Sequence, residues 1–143
     1  SPTTRRKISS RKPAAERKEN SPNTERAEAS FQQGLAALQR NQRDQAIRLL
    51  AEAAMLAPRE ARYRATYGHA LIGAVNARRV AESELQAAIS LEPNNASHHV
   101  MLAKLYQTIG LRRRALGEVE RALATDPKNE AARALQTSLR NMS

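Results

Sequence analysis

Three prolines recur at an almost constant interval. Pro93 lies 35 residues after Pro58, and Pro127 lies 34 residues after Pro93. Each ends a run rich in helix formers: Leu56-Ala57-Pro58, Leu91-Glu92-Pro93 and Ala124-Thr125-Asp126-Pro127. Proline cannot continue a helix, and it disfavours helix in the residue before it. Between the prolines, from Ala27 onward, apolar residues return every three or four positions, the period of an amphipathic helix. The chain is therefore a series of helical units, each closed by a proline. One unit of about 34 residues cannot bury its apolar face alone, so neighbouring units must stack.

Small residues share this register. With Pro58 as position 32 of a unit, Ala27 is position 1, and positions 8, 20, 24 and 27 are Gly34, Ala46, Leu50 and Ala53. The third unit, counted back from Pro127, has Leu102, Ala103 and Tyr106 at 7, 8 and 11, and Ala115, Val119 and Ala122 at 20, 24 and 27. The middle unit has Tyr67, Gly68 and Leu71 at 7, 8 and 11, then Ala81, Leu85 and Ala88 at 20, 24 and 27 counted back from Pro93. Its one extra residue must lie between Gly68 and Ala81, in the turn around Val75-Asn76-Ala77. Small residues at 8, 20 and 27 let two antiparallel helices approach closely, while larger ones at 7, 11 and 24 fill the gap. Asn41 and Gly110 sit where a left-handed residue would end the first helix at little cost.

This pattern resembles the tetratricopeptide repeat over residues 27–129. The resemblance implies an all-α solenoid of antiparallel helix pairs, with repeats at 27–60, 61–95 and 96–129. Residues 130–142 carry Leu135 and Leu139 on one face with Arg133 and Arg140 among the polar positions. They are expected to form a capping helix. The sequence departs from the family at position 4, where Ser30, Arg64 and His99 replace an aromatic, and at Gln33, which replaces an apolar residue at position 7. Looser packing is expected at the N-terminal edge of unit one.

The first 26 residues differ in texture. They hold eight basic and three acidic residues, three prolines, and little large apolar material beyond Ile8. Such a segment buries too little to offset its ordering entropy, so a disordered basic tail or linker is expected. Arg5-Arg6-Lys7 and Arg11-Lys12 would also suit a nuclear signal, a short pattern frequent by chance. No stretch approaches the roughly 18 apolar residues of a membrane span, and no charged-then-apolar leader appears. The expected location is cytoplasmic.

Catalytic constellations are missing. The chain has no cysteine and three histidines, His69, His98 and His99. Adjacent helical residues point about 100° apart, so His98 and His99 are poorly placed to share an ion. No phosphate loop, nucleophile elbow or metalloprotease helix motif occurs. Glu82 with Glu84, and Glu118 with Glu120, lie two apart and face different ways, which reads as solvated helix surface. No enzymatic activity, metal or cofactor is expected.

The resemblance implies instead a binding groove lined by positions 2, 5, 9 and 12 of each first helix. Its apolar floor would be Phe31, Leu35, Leu38, Ala65, Ile72 and Val100, with His69 and Lys104 among them. A helix or extended apolar peptide would suit such a floor. The other reading of these positions is contact with neighbouring helices, leaving no open groove. Some family members clamp the acidic C-terminus of chaperones with Lys, Asn and Arg. The corresponding residues are Phe31, Leu35, Thr66, Val100 and Lys104, with one basic residue among them, so that ligand is not expected.

A second surface follows from the charges. Arg40 and Arg43, Arg78 and Arg79, and Arg112, Arg113 and Arg114 flank the three intra-unit turns. Stacked turns would gather them on one edge, able to attract an acidic protein, nucleic acid or anionic lipid. The plainer reading is that cations near the ends of the first helices favour their dipoles. The function expected is a scaffold or adaptor that binds another protein through its groove, with anion binding at the arginine edge as the alternative.

Overall fold

The computed structural model describes residues 21–142, and the basic segment 1–20 lies outside them. The described residues form seven helices: α1 Pro22–Gln39, α2 Arg43–Leu56, α3 Ala61–Ala70, α4 Arg78–Leu91, α5 Ala96–Thr108, α6 Arg112–Thr125 and α7 Glu130–Arg140. They contain no strand, and no helix among them is long and apolar enough to cross a membrane. Consecutive helices pack in antiparallel pairs, and α5 also touches α3 and α7, so units stack in chain order.

Local signals explain the boundaries. Ser21 caps α1 by accepting the Asn23 N–H at 3.2 Å, with Pro22 in the first turn and Glu25 close behind. The helix therefore starts five residues before Ala27, and the boundary drawn at 26/27 from the repeat register falls inside α1. The register marks where the repeat begins, whereas the cap and proline decide where the helix begins. Asn95 and Asn129 cap α5 and α7 in the same way, at 3.0 and 2.9 Å. The turns after α1 and α5 use Asn41 (φ 59°) and Gly110 (φ 80°) as expected. The longer middle turn needs two left-handed residues, Gly73 (φ 84°) and Asn76 (φ 56°).

The helix pairs are held by close approach at position 8. A Cβ on Gly34 would stand 2.8 Å from Leu50 Cδ2, and one on Gly68 would stand 2.8 Å from Leu85 Cγ. In the third unit Ala103 occupies this position, buried against the smaller Val119. One apolar cluster runs through units two and three into the cap, taking in Leu85, Leu105, Val119 and Leu139. A second joins α1 and α2 to α3 through Phe31, Leu50 and Tyr63. On α7, Ala132, Leu135 and Leu139 are buried while Glu130, Arg133, Thr137 and Arg140 are exposed, the one-sided polarity a solenoid end requires.

Leu139 is fully buried (0 % exposed) and belongs to the main cluster. We expect Leu139→Ala to cost about 2–5 kcal/mol in chemical denaturation, lost from units two and three as well as from the cap. A loss near zero would mean that α7 is not part of the core.

Candidate functional site

The first helices α1, α3 and α5 carry the groove positions except Ile72, which lies in the turn after α3, and the structure places them unevenly. Phe31 (3 % exposed), Ala65 (2 %) and Val100 (4 %) are buried. They serve as core and do not line an open floor, which corrects the broad apolar groove. The cause is the packing of neighbouring helices, within the unit as well as between units. Phe31 lies against Tyr63, with ring centroids 4.8 Å apart. Ala65 packs with Ala61, Ala88 and Met101, and Val100 joins the main cluster. Leu35, Leu38 and Ile72 stay half-buried, while His69 and Lys104 are exposed. A narrower strip therefore remains, with Leu35, Leu38 and Ile72 as apolar ground and His69 and Lys104 as cationic or polarisable groups. His69 is reached by water, yet the surrounding walls desolvate it and Lys104 adds positive charge, so its imidazole is held below its usual pKa.

Glu28 and Arg62, each at position 2 of its unit and so among the positions the resemblance assigns to the groove, anchor a polar cluster between α1 and α3. Glu28 on α1 accepts hydrogen bonds from Gln32 (2.7 Å), from the Tyr63 hydroxyl (2.6 Å) and from Arg62 (2.6 Å). The Arg62 guanidinium also covers both rings, 4.7 Å from the Phe31 centroid and 5.3 Å from that of Tyr63. The donors, led by Gln32 and Tyr63, lower the Glu28 pKa. Burial, then the bond to Glu28, pushes the Tyr63 phenol up to about 12. Beside the cluster lies a depression of ≈ 510 Å³ between the N-terminal halves of α1 and α3. The signal was present in the sequence: Glu28 and Arg62 lie 34 residues apart, one period, and so face each other from adjacent units.

Of the carboxylates expected on solvated surface, Glu120 is exposed, whereas Glu82, Glu84 and Glu118 tie helices together. Position 4 of each unit reaches a glutamate on the partner helix. Ser30 donates to Glu52 at 2.8 Å, Arg64 to Glu84 at 3.1 Å, and His99 Nδ1 lies 2.9 Å from Glu118 Oε1. Glu84 and Glu118 are mostly covered, so their contacts with Arg64 and His99 are shielded from water. Glu82 accepts from the Tyr106 hydroxyl at 2.6 Å. These contacts replace the family's aromatic at position 4. They leave the acids engaged in structure, and no group of His, Asp or Glu among the described residues could hold a metal ion.

At the other end of the units the arginines divide by role. Arg43 donates to the carbonyls of Ala70 (3.2 Å) and Ile72, and Arg112 donates to Leu139 at 2.8 Å. Each thus caps the C-terminal end of a first helix or the cap in the next unit. Arg40, Arg78, Arg79, Arg113 and Arg114 are exposed, and none of the seven forms an ion pair among the described residues. Six of the seven open α2, α4 and α6, where the dipole is positive. The plainer expectation of favourable dipoles therefore holds for Arg40, which ends α1 and donates to the Ala36 carbonyl at 3.3 Å, and for Arg43 and Arg112 through their reach across units.

No family model and no curated protein sequence matches this chain. Solved structures do. The TPR domain of Arabidopsis OM64 superposes with a TM-score of 0.76 at 22 % identity, covering 82 % of this chain and 97 % of that one. The chain has the tetratricopeptide-repeat fold. The first TPR of Spaghetti (RPAP3), bound to the HSP90 peptide SRMEEVD, gives 0.74 at 17 % identity, over 82 % of this chain and 92 % of that one. An O-GlcNAc transferase from Thermobaculum terrenum gives 0.77 at 19 %, over 86 % of this chain but 24 % of the other. The tetratricopeptide units of this chain follow the same helix order.

The tyrosines offer a direct test. Burial first, then a bonded glutamate, raises Tyr63 and Tyr106 to about 12, and burial raises Tyr67 as well. A phenol raised on folding contributes stability below the unfolded pKa of about 10 and loses it as pH climbs through the folded value. The phenolate absorbance of Tyr63 and Tyr106, two of the three tyrosines, should therefore lag until about pH 12 and rise together with loss of helix. Two tyrosines ionising near 10 in a fully helical protein would contradict these contacts.

Proposed function

We propose that the domain is a protein-interaction module that holds a peptide or helix of another protein along the strip of its first helices. Its chemistry is recognition, and no catalytic step is assigned to it. The observation that carries this reading is that Leu35 and Leu38 on α1 and Ile72 after α3 are only partly covered by the core they pack on, with the exposed His69 and Lys104 near each other on α3 and α5. Core packing alone does not require these side chains at the surface. A solved domain of the same fold holding a peptide supports the reading. An apolar residue of the ligand would rest on Leu35 and Ile72, and polar groups beside it would meet His69 and Lys104.

We also propose that an acidic chaperone tail is not the ligand. Of the five positions such a clamp would use, Phe31 and Val100 are buried, Leu35 is apolar, Thr66 is uncharged, and Lys104 alone is basic. A terminal carboxylate would lose hydration there with one cation to replace it.

Peptides selected from a displayed library against the whole chain test both statements. Selected peptides should carry apolar anchors, should still bind at physiological salt, and should weaken about tenfold or more with Leu35→Glu or Lys104→Glu, the exposed Lys104 change leaving the melting temperature unchanged and the half-buried Leu35 change leaving the protein helical at the assay temperature. Selected peptides indifferent to both changes would remove the strip. Micromolar binding of a peptide ending Glu-Glu-Val-Asp, lost when its terminal carboxylate is blocked, would remove the second statement.

A further inference from the structure

We propose that the arginine edge docks on an anionic phospholipid bilayer, with the turn carrying Val75 as the part that enters it. The edge comprises the three intra-unit turns, side by side. Arg43 bridges the first to the second through the Ala70 and Ile72 carbonyls, and Ile72, Ala74, Ile109 and Leu111 of the second and third pack on one cluster. Segments 39–45, 71–80 and 108–115 hold seven arginines and one acid, Asp44.

This arrangement is locally unfavourable. Arg78 and Arg79 open α4, and Arg112, Arg113 and Arg114 open α6, at the positive end of each helix. Neither helix has an acidic residue in its first turn or a side-chain cap; at the opposite edge α3 shares that lack, while α1, α5 and α7 are capped by Ser21, Asn95 and Asn129. Arg112 relieves its share by reaching Leu139, but Arg78, Arg79 and Arg113 have no partner among the described residues. A conflict repeated in two units and left uncompensated inside the molecule is what an external anion would relieve.

The identity of that anion follows from Val75. It is 88 % exposed at the apex of the middle turn, the one with the extra residue, and Val80 in the next turn of chain is 44 % exposed. Gly73 and Asn76, both left-handed, shape the turn that presents it. A bare valine among arginines has no use against a nucleic-acid backbone. The three edge segments contain no aromatic, and Tyr106, which Arg114 covers, is buried, so these segments offer no stacking platform for bases. A bilayer surface accepts both features, phosphates and serine carboxylates at the arginines and the glycerol–acyl boundary at the valine.

This inference is separate from the strip of first helices, and one experiment distinguishes them. The whole chain is sedimented with phosphatidylcholine vesicles containing about one-third phosphatidylserine, and with phosphatidylcholine alone; electrostatic attraction near a charged surface sets the expected scale. We expect binding to the first only, weakened by salt. Arg78→Glu with Arg79→Glu should reduce it about tenfold or more. Val75→Asp should reduce it several-fold, without change in melting temperature because the side chain is solvent-exposed. Leu35→Glu should leave it intact. The inference is overturned by absent binding, by Val75→Asp binding as wild type does, or by a short oligonucleotide that binds the edge more tightly than the vesicles.

Discussion

Everything in this molecule rests on how near two helices can come at position 8 of each unit. Gly34 and Gly68 have no side chain because Leu50 and Leu85 occupy the space a Cβ would need. The third unit reaches the same separation with a different pair, Ala103 facing Val119. One methylene is added on the first helix and one is removed from the second. The summed volume is kept, as close-packed interiors demand. A helix pair fixed in this way presents one face to the next unit, and the stack sets both the strip of first helices and the edge of turns.

Polar contacts then lock the pairs where the family uses an aromatic. Ser30, Arg64 and His99 each find a glutamate on the partner helix. Covered pairs such as Arg64–Glu84 add little net stability over apolar packing, but breaking one partner is costly. Their contribution is therefore to register: each glutamate has one position-4 group within reach, so the pair cannot slide by a turn without orphaning a charge. Arg43 and Arg112 do the same between units, tying the start of a second helix to carbonyls in the next unit.

Much of this was legible in the sequence. The proline period gave the units, the small residues gave the pairing, and Asn41, Gly110 and the extra residue near Val75 located the turns. What escaped was anything decided by a residue one period away. Phe31 read as groove floor because its own helix aims it inward along the stack, but Tyr63 and Arg62 from the next unit cover it. Ala65 is covered largely within its own unit, by Ala61 and Ala88 with Met101 beside them, and Val100 by the main cluster. Glu84 and Glu118 read as solvated because spacing within a helix says nothing of what the partner helix offers. The start of α1 was missed because a repeat template has no term for the Ser21-Pro22 cap.

The most direct test of the account is a double-mutant cycle that rebuilds the third unit's pair in the second. Gly68→Ala and Leu85→Val are made singly and together, and unfolding free energies are measured in urea. The close approach predicts that each single change is destabilising. The first forces a Cβ to within 2.8 Å of Leu85 and 3.2 Å of the Ala81 carbonyl, outweighing the better helix propensity of alanine. Together they should recover at least about 1 kcal/mol of the summed loss, because they recreate Ala103 facing Val119. Losses that simply add, or a Gly68→Ala protein more stable than wild type, would show that the position-8 contact does not set the spacing of the helices.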